Sequence, residues 1–393
     1  TPMAVGITRR TLFGFRNVDR KANIKNEQLI TRASSDQEDL VNDLKSVGFW
    51  KGNTSKQMIQ FNAVVGNPPY HQDTDGAGRQ ATPLYNLFVE IAKNLSPDNI
   101  SMIMPARWYA GGMGLDKFRD SMKADRHISK IVDYVNAKDC FPNISISGGI
   151  CYFLWSSNHN GTCSFINIKN DITTTDNRYL DEFNVIVRYN EALSIIRKVK
   201  SFHEQTIDSI ISPLMPFGLS TNVRGRTNKS DVDSLRLLAS DGISYLSANE
   251  VSKGNDLIPR YKVFMSKMSA EHAGEPDKNG MFSVFTKTMK VGLPNDICTH
   301  SYFVIGSYEH EIESLNTLRY LQTKFVRCIV SITLSAVNLS KLVFFNVPLQ
   351  DFTSTSDIDW SQSISDIDRQ LYAKYGLSDD EISFIEKMIK PME

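Results

Sequence analysis

Apolar positions in the first half of the chain alternate between strand-like runs and helical spacing. Short apolar runs predict strands over 62–66, 100–104, 128–134 and 149–155. Leu84, Leu87, Phe88, Ile91, Ala92 and Leu95 recur at helical spacing and predict a helix over 84–95, which Ser96-Pro97-Asp98-Asn99 ends. Helices are also predicted over 4–14 and 114–123, with a polar loop over 71–82. Alternation of this kind predicts an α/β fold with a mostly parallel sheet, the strand over 62–66 being buried. Near Asn177 the pattern turns irregular, with strand-like pieces over 261–265, 282–285 and 302–305 between polar loops. Helical spacing returns over 311–334 and 367–389. Two domains are therefore expected, 1–180 and 181–393, the second a mixed α+β domain with C-terminal helices.

Composition narrows the class. The chain has 393 residues, 41% of them apolar and 22% charged, as in a globular protein of two ordinary domains. No apolar run approaches bilayer length and no basic-then-apolar leader is read, so a cytoplasmic protein is expected. Cys140, Cys151, Cys163, Cys298 and Cys328 are odd in number and lack C-x-x-C spacing, which supports neither a disulfide framework nor a metal site. Lysine plus arginine (44) balances aspartate plus glutamate (44). A generic nucleic-acid binder has a basic excess; here basic residues can gather in one place because the C-terminal stretch carries Asp351, Asp357, Asp359, Asp366, Asp368, Asp379, Asp380 and Glu381.

Candidate chemistry begins where the first strand ends. Asn67-Pro68-Pro69-Tyr70 follows it directly, and in a doubly wound sheet ligands sit beyond the carboxyl ends of the strands. The Asn67 side-chain oxygen and the Pro68 carbonyl offer two acceptors for a planar amine, in a stretch where two prolines fix φ and remove competing N–H groups. Such an amine is a poor nucleophile because its lone pair is delocalised; two acceptors orient it and favour its tetrahedral form. Tyr70 offers a flat face for a base. The plainer reading is an Asx-type turn followed by an extended segment, and His71 reads as a loop residue rather than a base. Methyl transfer to such an amine requires no metal and no strong general base.

The motifs together resemble those of gamma-class adenine-N6 DNA methyltransferases of restriction-modification systems with a TaqI-like specificity domain. The likeness rests on Asn67 to Tyr70, Thr82-Pro83-Leu84-Tyr85-Asn86-Leu87-Phe88-Val89-Glu90, Ile103-Met104-Pro105-Ala106-Arg107-Trp108-Tyr109, Phe141-Pro142 and Gly148-Gly149-Ile150-Cys151-Tyr152-Phe153-Leu154-Trp155. Val347-Pro348-Leu349-Gln350-Asp351-Phe352 and the ending from Asp366 to Met392 extend it. The resemblance implies a partial Rossmann-like methyltransferase sheet followed by a target-recognition domain, with S-adenosylmethionine as cofactor and double-stranded DNA as partner. It implies that Asn67 and the Pro68 carbonyl, within the Asn67-Pro68-Pro69-Tyr70 motif, accept from adenine N6. It also implies that Tyr70 stacks on an extruded base, that Phe141 holds that base from its edge or far side, and that Phe88, with Asn67, borders the cofactor. At its spacing Phe88 serves a core equally well. Extrusion costs a few kcal/mol, which stacking of about 1–3 kcal/mol and two hydrogen bonds of about 0.5–1.5 kcal/mol each can offset.

The family's Gly-rich turn and ribose-binding acidic residue are not read in this sequence. Thr1 to Leu12 resembles the helix that follows them, so weak cofactor binding by this chain alone is expected, with an upstream segment or a separate chain supplying the rest of the site. A cognate endonuclease is a further implied partner. In the second domain, candidate DNA contacts are Arg224, Arg226 and Lys229, Arg260 and Lys262 beside Tyr261, and Lys287 and Lys290 near Phe285; for each, a solvated polar face is the alternative. Two other readings stay open: a non-catalytic DNA-binding specificity component, and a methyltransferase acting on protein glutamine or ribosomal RNA. Cytosine-N4 methylation fits less well, since Ser is more usual there than Asn67.

Overall fold

The computed structural model describes residues 29–71, 82–111, 114–143, 146, 148–169, 172–268, 277, 280–333, 339 and 341–392. The helix predicted over 4–14 lies outside them, as does nearly all of the polar loop. The chain divides into two compact units, one of residues 1–108 and 112–184, the other of residues 109–111 and 185–393.

Unit one begins with three short helices that the pattern reading did not include: α1 (Leu29–Ser35), α2 (Gln37–Lys45) and α3 (Val47–Lys51). Their apolar residues do recur at helical spacing: Ala33, Leu40 and Val41 pack with Ile91 and Leu95 of the predicted helix region, and Leu44, Phe61, Val64, Leu87 and Phe88 border that cluster. The strands are β1 (Ala63–Gly66), β2 (Asn99–Pro105), β3 (Ile128–Tyr134), β4 (Ile150–Ser156), β5 (Cys163–Lys169) and β6 (Ile172–Arg178), joined in the order β1-β2-β4-β3-β5-β6. The helices between them are α4 (Tyr85–Asn94) and α5 (Asp116–Ala124).

The expected mostly parallel sheet is instead mixed. β1 pairs parallel to β2 and β3 parallel to β5, but β4 runs antiparallel to both β2 and β3, and β6 antiparallel to β5. The connections decide this. A parallel neighbour needs a crossover, usually a helix; among the described residues between β3 and β4 there is only a 3-10 turn at Ala137–Asp139, so β4 returns beside β3 reversed. The first strand is likewise not buried. β1 is the sheet's edge, and Val65 is 77% exposed while Val64 faces the helical cluster.

Unit two opens with α6 (Asn190–Ser201) and builds two three-stranded sheets. One has the order β10-β9-β12 from β9 (Tyr261–Ser266), β10 (Lys290–Gly292) and β12 (Tyr302–Tyr308). The other has the order β11-β7-β8 from β7 (Leu235–Ala239), β8 (Gly242–Leu246) and β11 (Asp296–Cys298). Phe217, Leu237, Leu246, Phe264, Ile297 and Val304 join them in one core. The strand expected over 282–285 is irregular; Phe282 makes one bridge to Ile389.

Each long C-terminal helix expected is two helices. Glu311–Gln322 (α7) and Lys324–Thr333 (α8) break at Thr323, whose backbone is extended and whose Oγ1 accepts from the Val326 N–H at 3.2 Å. Ile364–Lys374 (α9) and Asp379–Met388 (α10) break at Gly376, which takes φ +60°, a conformation cheap only for glycine. Ser378 and Glu381 then form a capping box that starts α10.

Candidate active site in unit one

The strand register brings the sequence motifs to one edge of the sheet. Gly66 pairs with Met102 where β1 ends, and Pro105 and Tyr134, at the ends of β2 and β3, both pair with Ile150 at the start of β4. That edge therefore carries Asn67 to Tyr70, Ala106 to Trp108, the turn that leads to Phe141, and Gly148-Gly149. Asn67 is exposed, Pro68 buried, and Pro69 and Tyr70 half-buried. The Tyr70 carbonyl accepts from the Leu84 N–H at 3.2 Å, and His71 bridges Pro83, so the two ends of the intervening loop are held together where α4 begins.

Around the motif lie groups with no role in the sequence reading. Burial pushes up the Tyr70 hydroxyl, with the Cys140 and Cys151 thiols close enough to add to the effect. Tyr85, only 2% exposed, is pushed well above its usual value by burial, with Cys151 and Arg107 also felt. Cys140 is half-exposed and burial raises its thiol; Cys151 is buried and accepts from Trp108 Nε1 at 3.5 Å. Tyr134 and Tyr152 lie with ring centroids 6.4 Å apart. Gly148, at φ +85°, passes so near Arg107 that an added Cβ would meet the Arg107 Cγ at 3.2 Å. The Gly149 carbonyl accepts from the Ala106 N–H at 3.1 Å, which fastens β4's start to β2's end. The sequence signal for Arg107, Trp108 and Gly148 lies in the string Ala106-Arg107-Trp108 and in the paired glycines.

Phe141 is half-buried and its N–H donates to the Ala137 carbonyl at 2.8 Å. Its neighbour Cys140 is the link to Tyr70. Phe88 is half-buried against the cluster of α1, α2 and α4. On the donor side of a methyl transfer, the described residues offer Phe88 and Asn67 but no glycine-rich strand-turn-helix cradle. They fit the acceptor amine and base and do not by themselves fit S-adenosylmethionine.

The basic residues of unit two divide sharply. Lys262 is fully buried, its ammonium taken up by the carbonyls of Leu257, Arg260, Leu293 and Ile258 at 2.9, 2.9, 3.2 and 3.4 Å, and burial lowers it to about 8. It cannot reach a phosphate, which corrects its assignment as a DNA contact. Arg224 pairs with Asp241 at 2.5 Å, Arg226 with Glu250, and Arg260 with Glu309 at 2.6 Å. Lys229 and Lys287 are exposed; Lys290 is half-buried, and burial and Arg236 lower it.

Residues 1–141 match the Eco57I restriction-modification methylase family. An uncharacterized adenine-specific methylase of Mycoplasma pneumoniae is 36% identical over 121 residues, which are 30% of this chain and 28% of that protein. Among solved structures, the type IIL restriction-modification enzyme MmeI in complex with DNA is similar with a TM-score of 0.49 and 10% identity, over 96% of this chain and 61% of that one. The type IIG restriction endonuclease BpuSI is similar with a TM-score of 0.34 and 12% identity, over 83% of this chain and 52% of that one. The family match ties residues 1–141 to restriction-modification methylases. The likeness to that adenine-specific methylase spans less than a third of either protein. No helix among the described residues is long and apolar enough to cross a membrane.

Proposed function

We propose that this chain binds and orients the acceptor in adenine-N6 methylation of double-stranded DNA. S-adenosylmethionine is the methyl donor, and unit two reads the target. The observation that carries this is the placement of Asn67-Pro68-Pro69-Tyr70 at the carboxyl end of β1, on the edge that also receives the turn before Phe141 and the start of β4. Asn67 presents an exposed amide there, and Pro68 a carbonyl in a rigid stretch. These acceptors hold the two N6 hydrogens and turn the nitrogen lone pair out of the ring plane. Tyr70, with Phe141, would keep an extruded adenine in the site, because N6 cannot be reached inside a stacked duplex. Orientation of the nitrogen supplies the rate, since a positioned near-attack geometry removes much of the barrier. In this reading the sheet is the later part of a Rossmann-like methyltransferase sheet, and the protein acts in the cytoplasm as the modification component of a restriction-modification system.

Labelled-methyl transfer to mixed-sequence duplex DNA tests it, using the chain alone and extended by its native flanking sequence. Asn67→Ala in an active form is expected to cut transfer at least a hundredfold while duplex binding persists, the scale seen when one donor to a developing charge is removed. Full activity of Asn67→Ala refutes the role of the motif. Duplex binding without transfer by any form favours the non-catalytic specificity reading.

A further inference from the structure

At one end of the paired sheets of unit two, two basic side chains meet with no carboxylate partner among the described residues. Ser266, the last residue of β9, pairs with Tyr302, the first of β12, so the next residue of one strand and the approach to the other emerge together. There Lys267 Nζ lies 2.7 Å from His300 Nε2, and both side chains are half-buried. The Lys267 ammonium also lies 5.5 Å from the ring centroid of Phe303, which is buried.

The backbone holds this pair in place. The Lys267 N–H donates to the Ser301 carbonyl at 3.0 Å, the Lys267 carbonyl accepts from Leu339 at 2.7 Å, and the His300 N–H donates to the Leu219 carbonyl at 2.9 Å. Among the described residues no carboxylate pairs with either group. Arg224, Arg226, Arg236 and Arg260 of the same unit each have one. Burial lowers both side chains from their ordinary values. The buried Cys298 thiol is the other titratable group acting on Lys267, and Lys267 itself acts on His300.

The Lys267 ammonium donates to the His300 ring nitrogen, which satisfies one of its N–H groups but supplies no negative charge, and a partly desolvated cation gains from a third group that does. Within a unit read as the DNA-contacting part of the chain, that group is identifiable by its chemistry. We propose that Lys267 and His300 form an anchor for a backbone phosphate of duplex DNA. The inference rests on the function proposed above and adds to it a positioning contact that carries no base information. The loop that begins at Leu219 and carries Arg224, itself tied to Asp241 at the turn between β7 and β8, reaches the same end. A phosphate gripped here would set the register of the duplex against that loop.

The test is duplex binding by the full 393-residue chain, followed by fluorescence anisotropy of a labelled mixed-sequence duplex between 50 and 200 mM salt. Removing one phosphate contact lowers the slope of log K against log salt by about 0.9, so the loss of affinity over that range becomes about threefold smaller. Lys267→Met, which keeps the apolar stem over Phe303, is expected to show this change equally on duplexes of different sequence. Lys267→Arg is expected to keep the wild-type slope, and His300→Gln to weaken binding severalfold. Lys262→Met is a control in which the slope stays unchanged. An unchanged slope in Lys267→Met together with undiminished binding in His300→Gln, in variants that still melt cooperatively and with wild-type binding intact, overturns the anchor and leaves the DNA reading standing. Failure of the wild-type chain to bind any duplex overturns both.

Discussion

Among the described residues, the buried hydroxyl of Tyr85 has no hydrogen-bond partner, and neither has that of Tyr70 one loop away. A buried unpaired polar group costs about 1–3 kcal/mol, which is regained when it is replaced by an apolar group of the same shape. Tyr85→Phe is therefore expected to stabilise the protein by about 1 kcal/mol, read as a higher denaturant midpoint at constant m. A destabilised Tyr85→Phe would mean that the hydroxyl is satisfied in solution. The lysines make a second residue-scale point. Lys262 and Lys267 are five positions apart on and just beyond one strand, and in the sequence both are lysines near aromatics. Position 262 points into the core, where four carbonyls replace water; position 267 lies past the strand's end beside a histidine. The choice between core staple and surface cation is made by strand direction and sheet pairing, which local composition does not encode.

At the scale of elements, one helix is started by another. The Asp368 carboxylate, on α9, accepts from the Phe325 and Lys324 N–H groups at 2.9 and 3.0 Å and so satisfies the first turn of α8. Burial raises Asp368 from 3.8 to about 6, against the opposing pull of those two N–H groups. The sign follows from proton counting. Between pH 3.8 and about 6 the folded state binds the proton that the unfolded chain has released, so this group's contribution to stability falls as pH rises through that window. Chemical denaturation across pH 4 to 7 is expected to show this slope in the wild type and to lose it in Asp368→Asn. Asp368→Ala is expected to cost about 1–3 kcal/mol, because the buried N–H groups lose their acceptor. The same scale shows how far periodicity reaches. The helix over 84–95 and the strand over 128–134 were legible because spacing and flanking breakers agree. The single helices expected over 311–334 and 367–389 were not, because the apolar spacing runs on through Thr323 and Gly376 while the backbone breaks at both.

The whole molecule has two units, each with its own core, and the second holds its apolar cluster within the two small sheets. A fragment of residues 185–393 is expected to melt cooperatively by circular dichroism, with a midpoint close to that of the same unit in the full chain. A non-cooperative melt would show that its stability depends on residues outside it. Net charge is zero, so any grip on DNA depends on where the cations are placed rather than how many there are.

By itself the sequence determined the apolar spacing, the strand that leads into Asn67-Pro68-Pro69-Tyr70, and the chemistry that an amide, a rigid carbonyl and an aromatic can offer an amine. These are local properties, written in consecutive residues. Only the tertiary structure decided that β4 runs reversed between β2 and β3, that β1 is an exposed edge, and that Cys140, Cys151, Tyr85 and Arg107 gather near Tyr70. It also separated a buried Lys262 from a Lys267 that meets His300 past the strand's end. Those outcomes depend on which segments meet across long sequence separations. Desolvation and charge pairing, which set what a side chain can do, exist only once they have met.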